Sequence, residues 1–166
     1  MPYTPLVTSL LWITNTLLDE VSREARESPR RRKNRNFHAM SDPVHRLLNA
    51  IEPGTYIRPH RHLDAAKAET AVVVAGAVGV LVFDDGGAIS EKRRLSPDGS
   101  NVGVEMPAGV WHTFVALEPG SVFFETKAGP YVPLRPEEMA PWAPAEGSEE
   151  AAGTELAWRD LFGRAS

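Results

Sequence analysis

His60 and His62 are one residue apart in the stretch Thr55-Tyr56-Ile57-Arg58-Pro59-His60-Arg61-His62-Leu63. Read as a strand, that stretch puts Tyr56, Arg58, His60 and His62 on one face, because side chains alternate. The two imidazoles then lie about 6.6–6.8 Å apart along the strand axis. That suits two nitrogens converging on one cation, with bonds of about 2.0–2.1 Å. Taken alone, the pair is ordinarily a pair of surface or core histidines. Glu69 opens the next apolar stretch, Glu69-Thr70-Ala71-Val72-Val73-Val74. A buried carboxylate is costly unless paired, so Glu69 needs a partner. A third histidine, His112, follows the turn Pro107-Ala108-Gly109 and leads Thr113-Phe114-Val115-Ala116-Leu117.

The elements that would position these side chains are mostly strands. One helix is expected early. Thr16-Leu17-Leu18-Asp19 fits a capping box, and Leu17, Leu18, Val21 and Ala25 follow at helical spacing. Ser28-Pro29 ends it, because the residue before proline disfavours the α region. The apolar start, Leu6 to Ile13, reads as a strand or as a segment that docks elsewhere. From about residue 36, short runs rich in Val, Ile, Phe and Thr alternate with turns such as Pro53-Gly54, Ala75-Gly76, Pro97-Asp98-Gly99 and Glu118-Pro119-Gly120. That spacing predicts an antiparallel sandwich or barrel. Five prolines between residues 130 and 147 predict an extended C-terminal segment, with a helical turn or two over 154–162.

The composition narrows the chemistry. A chain of 166 residues without cysteine has no disulfide scaffold, no thiol catalysis and no cysteine-held zinc or iron–sulfur cluster. No run of 18 apolar residues is present, and the N-terminus lacks a signal-peptide layout, so a cytoplasmic location is expected. The net charge of −4 divides into +3 over residues 1–36, −2 over 37–135 and −5 over 136–166. Such a chain is a poor general nucleic-acid binder. No phosphate-loop or dinucleotide fingerprint occurs.

The spacing of the histidines resembles the cupin superfamily. Its first motif, G-x5-H-x-H-x3–4-E-x6-G, is matched by Gly54, His60, His62, Glu69 and Gly76, with six residues between His62 and Glu69. Its second, G-x5-P-x-G-x2-H-x3-N, is matched by Pro107, Gly109 and His112; Asn101 stands at the opening glycine and Ala116 at the closing asparagine. Arg31-Arg32-Lys33-Asn34-Arg35-Asn36-Phe37-His38, Arg46-Leu47-Leu48-Asn49-Ala50, Gly54 to His62, Gly129-Pro130-Tyr131 and Ala140 to Gly147 look like the WbuC-type cupin metalloproteins of O-antigen and polysaccharide gene clusters. The resemblance implies a mainly β chain, a double-sheet barrel or jelly roll with an N-terminal helix and a Pro-rich C-terminal tail. The division expected is residues 1–35 as strand, helix and basic linker packing on the barrel, 36–130 as the barrel, and 131–166 as the extension. It also implies a divalent metal held by His60, His62, Glu69 and His112, and a homodimer.

Nitrogen and oxygen ligands suit Fe, Mn, Ni, Co or Zn. The expected function is metal-assisted isomerisation or epimerisation of a small oxygenated substrate, sugar-derived or bearing a carboxylate or phosphate, with an anionic small molecule as the expected ligand. The alternatives are a non-catalytic metabolite-binding module and an Fe(II)-dependent oxygenase. Arg58, inward beside a net-positive site, would bind a carboxylate, phosphate or enediolate oxygen, or would pair with Glu105 or Glu125. His38 and Tyr56 are the candidate proton carriers, with Tyr56 alternatively a lining residue. His45 reads as a surface residue, and Trp111 as packing. Residues 30–35 could grip a phosphate or form a solvated linker.

Overall fold

The computed structural model describes residues 10–163. Leu6 and Val7 lie outside the described residues, and Leu10 to Ile13 are exposed without regular structure. Helix α1 spans Asn15–Glu27. Its cap is Thr14, whose hydroxyl accepts from Leu17 N–H at 3.2 Å, so the helix starts earlier than a Thr16 cap would allow. Its C-cap is Ser28, before Pro29.

Eight strands follow: β1 Arg32–Asn36, β2 Val44–Ile51, β3 Glu69–Ala75, β4 Val78–Phe83, β5 Ile89–Leu95, β6 Gly103–Met106, β7 Trp111–Ala116 and β8 Ser121–Ala128. A 3-10 turn, Pro136–Glu138, and helix α2, Glu149–Asp160, complete the chain. All pairings are antiparallel. One sheet has the order β1-β2-β8-β3-β6, the other β5-β4-β7. The turns fall where the Gly and Pro signals stand. Gly76 takes φ +67°, and a Cβ there would sit 2.6 Å from Ser121 Oγ, so only glycine fits.

Side-chain alternation sorts the apolar residues into three clusters. Between the sheets lie Ile51, Ala71, Val73, Val80, Met106, Phe114 and Phe123. On the outer face of the larger sheet, Leu48, Ala50 and Val122 meet Leu18, Val21 and Ala25 of α1. On the outer face of the smaller sheet, Leu81, Phe83, Trp111 and Val115 meet the C-terminal extension through Ala140, Trp142, Trp158 and Phe162. β7 is buried at every position because both its faces are covered. The C-terminal helix begins at Glu149, ahead of the expected turn, with Glu149 and Glu150 in its first turn where the helix dipole favours anions.

The basic run is where structure and expectation differ most. Arg32 to Asn36 form an edge strand on β2, not a linker. Lys33 and Arg35 share a face and both reach Glu24 of α1, at 3.4 and 2.9 Å. Arg32 turns the other way and pairs with Glu146 at 3.0 Å, and Arg30 lies 3.9 Å from the same carboxylate. These cations are matched within the chain, which removes the reason to read the run as a phosphate grip.

Leu48 is fully buried between sheet and helix. Leu48→Ala is expected to cost about 2–5 kcal/mol of stability, read from the midpoint of urea denaturation.

Candidate metal centre

The segment carrying His60 and His62 is extended but is not a full strand. It bridges to β7 at one place, where His60 N–H donates to His112 O at 3.1 Å and His112 N–H donates to His60 O at 3.0 Å. Residues directly opposite in an antiparallel pair point to the same face. The two imidazoles are thereby set side by side, with ring centroids 4.6 Å apart. Around the bridge, Gly109 N–H donates to His62 O at 2.7 Å, Arg61 N–H to Glu138 O at 2.9 Å, and Ala140 N–H to Pro59 O at 2.9 Å. Gly109 takes φ +86°, which turns its N–H toward His62.

Glu69 comes from the other sheet and is 3% exposed. Its Oε1 accepts from His62 Nε2 at 2.9 Å and from Lys127 Nζ at 2.8 Å, and its Oε2 faces His112 Nε2 at 3.0 Å. Burial alone would raise the Glu69 carboxyl. The hydrogen bonds from His112 and His62 and the charge of Lys127 overrule it and hold the group well below the usual carboxylate range. Burial pushes the His60 imidazole down to about 3, helped by repulsion from His112. His60 is therefore neutral at physiological pH.

Among the described residues, His60, Glu69 and His112 offer ligand atoms within 4.8 Å of one another, a set that could hold a metal ion. The donor chemistry fits. Nδ1 of His60 lies 3.2 Å from Arg58 O, and Nδ1 of His112 lies 2.9 Å from Val110 O. A neutral imidazole donating through Nδ1 keeps a lone pair on Nε2. A lone pair 3.0 Å from the Glu69 carboxylate is repelled unless a proton or a cation stands between them. Two ligand atoms at right angles, each about 2.1 Å from one ion, lie about 3.0 Å apart.

The site opens into a cavity of about 350 Å³. Its lining joins His60, His62 and Glu69 to Arg58, Lys67, Lys127 and Glu125, with Ile57, Phe114 and Phe123 as apolar wall. Arg58 faces this space, but it pairs with neither Glu105 nor Glu125. Its Nε and Nη2 donate to Ala140 O at 3.1 and 2.7 Å. Glu105 accepts from the Thr70 hydroxyl, and Glu125 from Lys127 and Asn49.

Two sequence-derived candidates are not brought to the centre. Tyr56 stacks on Trp158 at 5.5 Å and donates to Pro144 O at 2.8 Å. Strand alternation does not extend back to it, because residues 55–59 have no ladder to hold them and Pro59 has no N–H to give. Burial raises the Tyr56 phenol to about 12. His38 lies after β1, where its Nδ1 accepts from Arg46 N–H at 2.9 Å and its ring stacks on His45 at 4.0 Å. His45 is not a surface residue: it is 4% exposed and lines the cavity. Trp111 points away from His112, beneath the Arg61 guanidinium at 4.2 Å, as alternation requires. Lys127 and Asn49 went unread in the sequence. The signal for Lys127 was the alternation Phe123, Glu125, Lys127, which carries an apolar face into two charges.

A family model described as "Domain of unknown function (DUF6016)" matches residues 13–95. No curated protein matches the chain. Among solved structures, KdgF from Halomonas sp. is 26% identical with a TM-score of 0.50, over 63% of this chain and 84% of KdgF. The conserved SPY1581 protein of unknown function from Streptococcus pyogenes is 12% identical with a TM-score of 0.51, over 80% of this chain and 98% of that one. A mutant of oxalate decarboxylase OxdC from Bacillus subtilis is 21% identical with a TM-score of 0.47, and this chain spans about a quarter of it (26%). KdgF is a cupin protein, and the two facing antiparallel sheets of this chain are a cupin fold. No helix among the described residues is long and apolar enough to cross a membrane.

The depressed His60 makes metal-free stability depend on pH. Unfolding frees the imidazole to take up a proton below about pH 6.5, whereas the folded group resists down to about 3. Its contribution is whole above pH 6.5 and is lost as pH falls toward 3, by up to about 1.4 kcal/mol per unit. Thermal melts of chelator-treated protein between pH 7 and 4 should show this slope, and His60→Gln should flatten it.

Proposed function

The chain belongs to the DUF6016 family, and from that premise we propose that it is a metal-dependent cupin that isomerises or epimerises a small, oxygenated, anionic molecule. One observation carries the reading: the His60, Glu69 and His112 cluster opens into a cavity that Arg58 also lines. In this reading His60, His62, Glu69 and His112 hold one divalent ion, of Fe, Mn, Ni, Co or Zn. When bound, the ion supplies Lewis-acid polarisation of a substrate oxygen.

The chain's own residues do the rest. Arg58 is held through Nε and Nη2 by Ala140 O, which leaves Nη1 to meet a carboxylate or phosphate oxygen. Ile57, Phe114 and Phe123 exclude water from the inner wall. Glu125 lines the cavity and, paired as a carboxylate with Lys127, is the base that takes the proton moving on the substrate. His38 and Tyr56 have no part in that transfer. The cavity lies at the small end of ligand sites, about 300–1,000 Å³, which favours a single sugar or a smaller acid. On the resemblance alone, we read the chain as WbuC-type, cytoplasmic and homodimeric, with a substrate drawn from surface-polysaccharide chemistry.

An Fe(II)-dependent oxygenase is the second reading. The observation favouring it is the pairing of two histidines and one carboxylate, with His62 on Glu69 Oε1.

Elemental mass spectrometry tests the site on untagged protein purified without chelator or nickel resin. About one divalent metal per chain is expected, and none in the His60→Ala, His112→Ala double variant. A folded wild type that carries no metal and cannot be reconstituted sinks the proposal. With metal present, Arg58→Met should weaken calorimetric binding of small carboxylates or phosphates about tenfold. Oxygen uptake that depends on iron would select the second reading.

A further inference from the structure

Lys127 on β8 stands directly opposite Glu69 on β3. Its ammonium lies 2.8 Å from Glu69 Oε1 and 2.8 Å from Glu125 Oε1. Glu125 is 7% exposed, and its second oxygen accepts from Asn49 Nδ2 at 3.0 Å. Asn49, Glu125 and Lys127 all line the cavity that holds the histidines. The arrangement runs unbroken from Asn49 through Glu125 and Lys127 to Glu69.

The geometry restricts Glu69. A carboxylate whose Oε1 takes the Lys127 ammonium cannot turn about its terminal torsion without breaking that charged hydrogen bond, so Oε2 stays directed at His112. The charges explain why two carboxylates flank one lysine. A lone ammonium against Glu69 would cancel the negative potential that draws a cation to the site. Glu125 on its far side restores that potential, and Asn49 fixes Glu125 in place.

We propose that Lys127 is a positioning residue for the metal centre: it locks the Glu69 carboxylate, while Glu125 serves as its counter-charge. The inference rests on the metal-binding reading above. It adds an outer layer of three residues to that reading, one that the histidine spacing does not contain.

Cobalt(II) titration tests it, followed by visible d–d absorption and by calorimetry, with circular dichroism melts of the metal-free proteins alongside. The Lys127→Met, Glu125→Gln double variant removes the lysine without leaving the Glu125 carboxylate buried and unpaired. It should melt within about 5 °C of wild type. It should bind cobalt at least about tenfold more weakly and with shifted bands. Glu125→Gln alone keeps Lys127 on Glu69. It should weaken binding by a similar factor with the bands unmoved, because the coordination is intact and only the potential has changed. A folded double variant with wild-type affinity and bands overturns the positioning role. If that variant does not fold, unchanged affinity in Glu125→Gln overturns the proposal, and weakened affinity with unmoved bands supports it. A wild type that takes up no cobalt defeats the metal reading itself, and the role of Lys127 with it.

Discussion

An anion withdrawn from water at the head of a strand must be paired, and Glu69 meets that demand with groups from three different places in the chain. His62 comes from the extended segment before β3, His112 from β7 and Lys127 from β8. The two sheets face each other across the apolar cluster around Phe114 and Phe123, which are stacked 4.7 Å apart. That packing sets the distance at which the histidines of one side reach the carboxylate of the other. A void or slip in the cluster would therefore be felt at the site, because tightly packed interiors transmit strain.

The histidines themselves depend on main-chain bonds. The His60–His112 bridge, flanked by the bonds to Gly109, Glu138 and Ala140, makes residues 59–62 an irregular edge of the smaller sheet. Glu138 adds a second tie. Its buried carboxylate accepts from Leu63 N–H and Arg135 N–H at 2.8 and 2.9 Å, and these backbone bonds hold it down to about 2. The loop after His62 is thus anchored at the point where it leaves the site, so its six residues before Glu69 do not loosen His60 and His62.

The parts of this arrangement that follow local rules were legible in the sequence. Gly and Pro turns marked the strand boundaries, and alternation assigned His112 inward and Trp111 outward. The histidine and glutamate spacing drew attention to His60, Glu69 and His112, whose ligand atoms lie within 4.8 Å of one another, with His62 on the Glu69 carboxylate rather than in that set. What escaped notice depends on partners far along the chain. Tyr56 is drawn outward by Trp158 and Pro144, about a hundred residues later, and no local pattern announces that. Arg32 to Asn36 look like a solvated tract because their partners, Glu24 and Glu146, lie in elements that only tertiary packing places nearby. Lys127 went unread because Glu69 comes beside it only when β3 pairs with β8.

The contact between residues 59–61 and residues 138–140 has a consequence for how the protein is made. The side chains of the cluster are all encoded by residue 112, yet the backbone bonds that seat Pro59 and Arg61, on either side of His60, come from a stretch that leaves the ribosome more than twenty residues later. During synthesis the barrel strands can pair first, while the His60 segment waits without its outer partner. An interrupted chain would carry all four side chains and the His60–His112 bridge and still lack the flanking bonds from residues 138–140.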